Sequence, residues 1–285
     1  MKRILAVCVA LTLLCAASLD AQKRAPAKRP PQARKAAAPA KPAPPPSAPK
    51  IERPVPFKPG ESLSYDVSWS SFLTAGTATL TVRQKKPSYN SVAYYIVAEG
   101  QPTSLLSRLY SLYYKADTLL DVYTLLPQRG SVFSQENSRQ RMKTTLFNQP
   151  ARTIHYEMRT TQLLRQDKPI PANTQDALSA IYQLRSMTLR PGMTATMPIS
   201  DSGTTYTARF TVGQAESVKT GVGYVQALKV TPVITDPNGQ SIGRGMIVWI
   251  STDGRRLPVK MTAQLKVGSF NLTLREMKVG TVAGR

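Results

Sequence analysis

The sequence predicts an all-β domain, built as a strongly curved antiparallel sheet or half-open barrel with one helix packed against its opening. The first observation is a period of two: Leu63, Tyr65 and Val67 alternate with serine and aspartate, as in a strand with one buried face. The second is turn chemistry between apolar runs, as in Asp-Pro-Asn-Gly at residues 236–239. The third is that a single long segment, residues 174–185, has helical spacing.

Strand-like runs follow one another along most of the chain, and their even spacing favours a meander that curls on itself. They are predicted at residues 62–69, 78–82, 93–99, 113–121, 131–135, 141–147, 153–159, 206–214, 223–233, 244–251, 259–267 and 270–277. The run at 244–251 is apolar on both faces, so we expect other parts of the protein or a ligand to cover both.

One helix is predicted over residues 175–185, with Thr174 as its N-cap. Its apolar side should pack on the sheet, and consists of Leu178, Ile181, Tyr182 and Leu184. A single further helical turn is predicted near residues 104–110.

The first 21 residues have the pattern of a secretory signal peptide. Lys2 and Arg3 precede an apolar stretch at residues 4–17, which small residues follow. The alternative is an uncleaved anchor, but a helix of about 15 residues spans only roughly 22 Å of the ~30 Å hydrocarbon core. We therefore predict export to the bacterial periplasm or outer envelope, with the mature chain beginning near Gln22.

Residues 22–56 are predicted to be a disordered basic tether. They contain 11 prolines, nine lysines or arginines and one acidic residue, Glu52. This composition disfavours helix and sheet and favours polyproline II and disorder. The main interpretation is a solvated spacer, with weak contact to anionic envelope polymers or the membrane surface as a secondary role. Export argues against nucleic acid as a partner.

The formal net charge of the whole chain is +22, and its excess basic residues are scattered. Scattered basic charge indicates solubility and mild attraction to anions, and it does not define a site. Arg139, Arg141 and Lys143 share one face of a predicted strand, which is typical of a solvated face. An anion-binding stripe is the alternative.

Candidates for catalysis or metal binding are few. Cys8 and Cys15 both lie in the predicted signal peptide, so the mature chain should have no disulfide, thiol nucleophile or cysteine metal ligand. His155 is the only histidine and lies in a predicted strand. Carboxylates such as Asp176 and Asp201 are far apart in sequence, although folding could pair them. We therefore predict no catalytic set, no metal and no cofactor.

Three segments resemble a known family. They are PFKPGESLSYDVSW at residues 56–69, with AGTA at 75–78, then DALSAIYQLR at 176–185 and WISTDGRRLPVK at 249–260. In this order they resemble the bacterial domain-of-unknown-function family numbered 3108, over about residues 57–277. The resemblance implies an exported protein of unsettled function and supplies no catalytic residues.

A second, weaker likeness rests on residues 249–260 alone. This hairpin is similar to one in the periplasmic lipoprotein-carrier superfamily, which implies a half-open β-barrel that shelters acyl chains. A fold-level analogy of this kind is a weak guide to function.

Six residues are candidates for ligand contact. Four are large apolar groups near predicted strand ends or turns, and two lie on one side of the predicted helix. They are Trp69, Phe72, Met246, Trp249, Tyr182 and Arg185. The alternative is structural: the apolar groups belong to the core, Tyr182 packs on the sheet, and Asp176 and Arg185 stabilise the two ends of the helix.

The leading interpretation is a non-enzymatic envelope protein, with residues 57–285 as one domain, that binds an apolar or amphiphilic, lipid-like ligand in the concave face. One alternative is a scaffolding protein whose basic tether contacts anionic polymers. Another is a hydrolase that uses carboxylates brought together by the fold. A large apolar cavity would favour the first over the second, and two close carboxylates in a cleft would favour the third.

Overall fold

The computed structural model describes residues 50–69, 73–109, 111–242, 245–265 and 268–279. The predicted signal peptide, the predicted tether up to residue 49, and Phe72 lie outside the described residues. Within the described part of the chain, no helix combines the length and apolar character needed to cross a membrane.

Among the described residues, fifteen strands form a single antiparallel sheet. The first eight pair in chain order: β1 (Ser62–Trp69), β2 (Leu73–Ser88), β3 (Ser91–Pro102), β4 (Leu112–Asp121), β5 (Pro127–Glu136), β6 (Arg139–Asn148), β7 (Thr153–Arg159) and β8 (Leu163–Pro169). The others are β9 (Thr194–Asp201), β10 (Thr204–Thr220), β11 (Gly223–Thr235), β12 (Ser241–Ile242), β13 (Ile247–Ser251), β14 (Pro258–Leu265) and β15 (Gly268–Lys278).

The sheet is open, with β8 at one edge and β9 at the other. Strands β1 and β15 pair in the middle and join the two halves, while the short β12 pairs with β11. In β1, Leu63, Tyr65 and Val67 are buried and the residues between them are half-buried, as their period of two predicts. The predicted all-β class and the single antiparallel sheet are confirmed.

Contacts between distant strands show how strongly the sheet curves. At the tip of the β9–β10 hairpin, Ser202 accepts a 2.6 Å hydrogen bond from Lys143 Nζ of β6. The next residue, Gly203, lies against Tyr156 of β7, so closely that a Cβ there would be 2.9 Å from the tyrosine ring. The hairpin of the second half therefore folds onto the face of the first half.

Two helices accompany the sheet, α1 (Ser104–Leu109) and α2 (Ala177–Ser186). Both correspond to predicted helical segments. Helix α2 begins with a capping box, in which Asp176 Oδ1 accepts 2.8 Å hydrogen bonds from the amides of Leu178 and Ser179. The Ser179 hydroxyl in turn accepts a 2.9 Å bond from the Asp176 amide. These bonds satisfy the first donors of the helix.

The prediction of Thr174 as the N-cap is wrong by two residues. Gln175 is held in an extended bridge to β9, since its amide donates to Pro198 O at 2.9 Å and its carbonyl accepts from Ser200 N at 2.8 Å. The helix can begin only after this bridge. The Thr174 hydroxyl instead donates to Pro171 O at 2.7 Å, within the preceding turn.

The sequence does not predict β8 and β9, and both lie at sheet edges. Strand β8 is mostly exposed and has no apolar alternation, while β9 contains Pro198. Edge strands tolerate proline and polar residues because one side of their backbone faces no partner strand.

The main core lies between α2 and the central strands. Tyr182 of α2 is fully buried and meets the ring of Phe57 edge-on, with 4.7 Å between ring centroids. Phe57 also meets Tyr94 at 5.2 Å, and Tyr65 donates to Pro258 O at 2.9 Å. Helix α2 therefore sits inside the curve of the sheet, as predicted for the packed helix.

Candidate functional site

The larger of two apolar cavities lies between α2 and the second half of the sheet. Its volume is about 170 Å³. Helix α2 contributes Ala177, Ala180, Ile181 and Leu184 to its wall. Met246 lines it just before β13, and strand residues that line it include Met197, Ile199, Ala208, Phe210, Val230, Val248 and Ala263. Strand register explains this face, because Met197 pairs with Ala208, Val230 with Val248, and Val248 with Met261.

The smaller apolar cavity lies on the side of α2 that faces the first half of the sheet. Its volume is about 80 Å³, and its wall includes Tyr65, Val67, Ala78, Leu80, Ala98 and Leu178. Three residues, Ile181, Met261 and Leu272, line both cavities. The two spaces are therefore adjacent, and they meet at the side chain of Ile181.

Small side chains leave this space open. The larger cavity has alanine at positions 177, 180, 208 and 263, and the smaller has glycine or alanine at 76, 78, 98 and 100. Protein interiors are normally packed so closely that few voids exceed the size of a water molecule. Polar groups in the wall of the larger cavity are few, with Thr262 and Gln264 among them. Apolar space of this kind suits an apolar ligand better than water.

A third, polar cavity of about 40 Å³ lies beyond Leu178, between the start of α2 and strands β4 to β7. Asp176 and Asp201 place carboxylates in its wall, and Lys143 places an ammonium group there. Lys143 Nζ donates to Ser202 Oγ at 2.6 Å, and Ser202 Oγ donates to Asp201 Oδ2 at 3.0 Å. Ser202 therefore links the ammonium group of Lys143 to the carboxylate of Asp201.

Burial perturbs both carboxylates of the polar cavity. It raises the pKa of Asp176 to about 6, although the hydrogen bond from Thr118 at 2.6 Å acts in the opposite direction. Burial also raises the pKa of Asp201, which the charge of Lys143 lowers in part. Ser200 lines the same cavity, and its buried hydroxyl has no hydrogen-bond partner among the described residues.

The structure brings the three family-like segments together at Arg185. Its guanidinium forms a bidentate ion pair with Glu61, at 2.7 Å and 2.9 Å. It also donates to the carbonyl oxygens of Arg256 at 3.0 Å and Arg255 at 3.2 Å. The first segment supplies Glu61 and the second supplies Arg185. The third segment supplies the two carbonyl oxygens. These segments therefore meet at one buried polar junction.

Tyr182 and Arg185, two of the predicted ligand contacts, both lie at this junction. Both side chains are 0% exposed. The Arg185 guanidinium is bonded to protein groups and lies 5.1 Å from the centre of the Tyr182 ring. Neither residue lines the apolar cavities. The structural alternative describes them better: Asp176 caps the helix and Tyr182 packs in the core.

The large apolar candidates lie in different places. Met246 lines the larger cavity. Trp249 is buried outside both cavities, where its indole donates to Glu216 and Lys260 Nζ lies 5.0 Å from the ring centre. Trp69 stacks on Phe270 with 6.2 Å between ring centroids, and it lines neither apolar cavity. Phe72 lies outside the described residues.

The predicted basic row divides between solvent and the polar cavity. Arg139 and Arg141 are exposed, as expected for a solvated face. Lys143, two residues further along the same face, is half-buried and reaches Ser202 across the curve of the sheet. The sequence alone gives no sign of this contact, because 59 residues separate the two side chains.

The cavity residues that the sequence does not single out are mainly alanines and serines. Ala208 and Ala263 look like ordinary inward positions of strands, and only the absence of a larger side chain marks them. Ser200 and Asp201 belong to the unpredicted edge strand β9. Within the described residues, no cluster of three or more histidine, cysteine, aspartate or glutamate side chains could hold a metal ion.

Solved structures to which this chain is similar include three proteins of low sequence identity. A β-barrel-like protein of the domain of unknown function DUF1849 from Brucella abortus is 10% identical, with 79% of this chain and 100% of that chain covered and a TM-score of 0.49. A protein described as exported, with a YmcC-like fold, from Bacteroides fragilis is 13% identical, with 80% and 100% covered and a TM-score of 0.32. A protein described as a lipoprotein from Parabacteroides distasonis is 10% identical, with 80% and 100% covered and a TM-score of 0.36.

None of these likenesses assigns a function to the chain. No curated protein matches it at a significant level. The family described as "Protein of unknown function (DUF3108)" matches residues 64–275. This range contains most of the sheet and the whole of α2. The chain therefore belongs to the DUF3108 family, as the three segments at residues 56–69, 176–185 and 249–260 predict.

Proposed function

We propose that the protein is a non-enzymatic binding protein of the bacterial envelope, which holds an apolar or amphiphilic, lipid-like ligand in the concave face of its sheet. The observation that carries this proposal is the pair of adjacent apolar cavities on two sides of Ile181, with volumes of about 170 Å³ and 80 Å³. The N-terminal signal-like sequence supports export, and the basic tether could add weak contact with anionic polymers or membrane.

The energetics favour an occupant in this space. An engineered apolar cavity of about 150 Å³ stays dry and binds benzene, and the larger cavity is slightly bigger. Each methylene group removed from water contributes about 0.8 kcal/mol. Even a chain segment of six methylenes would gain roughly 5 kcal/mol before the entropic cost of association.

A size-increasing substitution tests where such a ligand binds. Ala208 is buried in the wall of the larger cavity, and Ala215 is exposed on the same strand. Calorimetric titration of the full chain with dodecanol should show binding by the parent protein. Ala208→Phe fills the cavity with its ring, so we expect affinity to fall at least tenfold. Ala215→Phe adds the same group outside the cavity and should bind like the parent.

Two results would count against the proposal. If the parent protein binds no dodecanol, the cavities do not serve an apolar ligand and the scaffolding alternative is favoured. If Ala208→Phe folds with unchanged stability and still binds like Ala215→Phe, the ligand lies elsewhere. The tryptophans are poor reporters for this titration, because neither Trp69 nor Trp249 lines an apolar cavity.

A further inference from the structure

The polar cavity next to the apolar ones has features of a head-group site. It shares Leu178 with the smaller apolar cavity and Ala177 with the larger one. The polar and apolar spaces are therefore neighbours along α2, separated by the side chains of Ala177 and Leu178. The volume of about 40 Å³ has room for on the order of three water-sized groups.

The protein hydrogen-bonds Asp176 through two amides of α2 and through Thr118, but within the described wall it supplies one cation, Lys143, for the carboxylates of Asp176 and Asp201. Asp176 and Asp201 face it with carboxylates, and Lys143 is the ammonium group in its described wall. Asp117 also lines the cavity, but it is paired with Arg129 at 2.5 Å. Lys143 can neutralise one of the two carboxylates of Asp176 and Asp201. One additional positive charge would neutralise the other, and buried charges are normally paired.

An orphaned hydroxyl points independently to a ligand. Ser200 is 3% exposed and lines the cavity, and its Oγ has no hydrogen-bond partner among the described residues. A buried hydroxyl left without a partner costs stability, so such groups usually meet a partner that binds. Burial raises the pKa of Asp201, and a hydrogen-bond donor at this position would offset that effect by stabilising the carboxylate.

We propose that the polar cavity takes the primary ammonium head group of an amphiphile whose chain occupies the apolar cavities. This inference rests on the proposed function and adds the chemical class of the head group. An ammonium group has three donors, which can meet the Asp201 carboxylate, the Ser200 hydroxyl and Asp176 Oδ2. A head group that is only a carboxylate or phosphate would be repelled by the carboxylates of Asp176 and Asp201 in the same cavity.

The test compares three amphiphiles with the same chain: dodecylammonium, dodecanol and dodecanoate, each titrated calorimetrically into the full chain at pH 7.5. We expect dodecylammonium to bind about tenfold more tightly than dodecanol, the ratio that 1.4 kcal/mol supplies. Dodecanoate should bind most weakly. Nonspecific attraction to a chain of net charge +22 would give the reverse order, so the ranking itself is decisive.

Three variants assign the preference to this cavity. Asp201→Asn should reduce the ratio of ammonium to alcohol affinity to about threefold or less, and Lys143→Met should increase it, because it removes the competing positive charge. Misfolding would not lower the affinity ratio in one variant and raise it in the other, so changes of opposite sign exclude it as the cause. Asp167→Asn removes an exposed carboxylate paired with His155 and should leave the ratio unchanged.

The outcomes separate this inference from the proposed function. Equal binding of all three amphiphiles would overturn the head-group assignment and leave the apolar site intact. A preference for dodecylammonium that survives in Asp201→Asn and is unaffected by Lys143→Met would also overturn it. Failure of all three amphiphiles to bind would contradict the proposed function as well.

Discussion

The substitution Arg185→Met should be strongly destabilising. It removes a fully buried guanidinium that holds Glu61 by two hydrogen bonds and the carbonyls of Arg255 and Arg256 by one each. In the wild type, burial lowers the pKa of Arg185, but the hydrogen bond to Glu61 and the charge interactions with Tyr182, Glu61 and Tyr65 together outweigh this effect, and the net direction is upward. Methionine keeps the apolar stem and leaves the Glu61 carboxylate buried without a partner.

The expected loss is about 3–5 kcal/mol, the usual result of removing one partner of a buried ion pair. Urea unfolding of the full chain, followed by circular dichroism, measures it as a shift of the midpoint at constant slope. Arg275→Met is the matched control, since the Arg275–Asp66 pair is about half exposed on both sides and should contribute at most about 1 kcal/mol.

A double variant separates charge from packing. Glu61→Leu combined with Arg185→Met removes both charges, so it should recover a large part of the stability lost in the single variant. The reasoning is refuted if Arg185→Met changes the free energy of unfolding by less than about 0.5 kcal/mol, as for a surface residue. It is also refuted if the double variant is no more stable than Arg185→Met.

Three further predictions concern the helix and the chain end. Leu178→Ala should lower the free energy of unfolding in urea by about 2–5 kcal/mol, because Leu178 is buried. Leu105→Ala, at a residue that is 68% exposed, should change it by less than about 0.5 kcal/mol. Similar values for both variants would place Leu178 outside the core. Because the folded pKa of Asp176 is about 6 and the ordinary value is 3.8, the folded state binds an extra proton between these values, and the free energy of unfolding should rise by about 2 kcal/mol as the pH falls from 7 to 4.5. Asp176→Asn retains the N-cap acceptor and should lose this part of the pH dependence, so an unchanged profile would contradict the assignment. N-terminal sequencing of envelope material should begin near Gln22, and recovery of Met1 would instead indicate a retained anchor.

The strands and the helix were predictable where local chemistry agrees with the final structure. Leu63, Tyr65 and Val67 are buried along one face of β1, as their alternation requires. The N-cap was not predictable by the same means, because Thr174 and Asp176 both have side chains that can cap a helix. The choice is made by the bridge from Gln175 to β9, which is a tertiary contact.

The candidate site was harder to predict. When a strand is apolar on both faces, its sequence does not indicate which face lines a cavity. Met246 lies just before β13, and Trp249 lies within that strand. Met246 lines the larger cavity and Trp249 does not. The cavities themselves arise from alanines and glycines, and the polar cavity joins β6 to β9 across the curved sheet. A single sequence carries no signal for either.

The central claim is that the apolar cavities around Ile181 hold a lipid-like ligand, and the most direct test is to look for that ligand. The full chain is purified from the envelope of its own bacterium without added detergent, and native mass spectrometry is followed by solvent extraction of the same sample. We predict a species heavier than the polypeptide by one lipid-like molecule, which extraction releases, and its loss from Ala208→Phe but not from Ala215→Phe. A spectrum that contains the bare polypeptide alone, with no lipid in the extract, would contradict the claim.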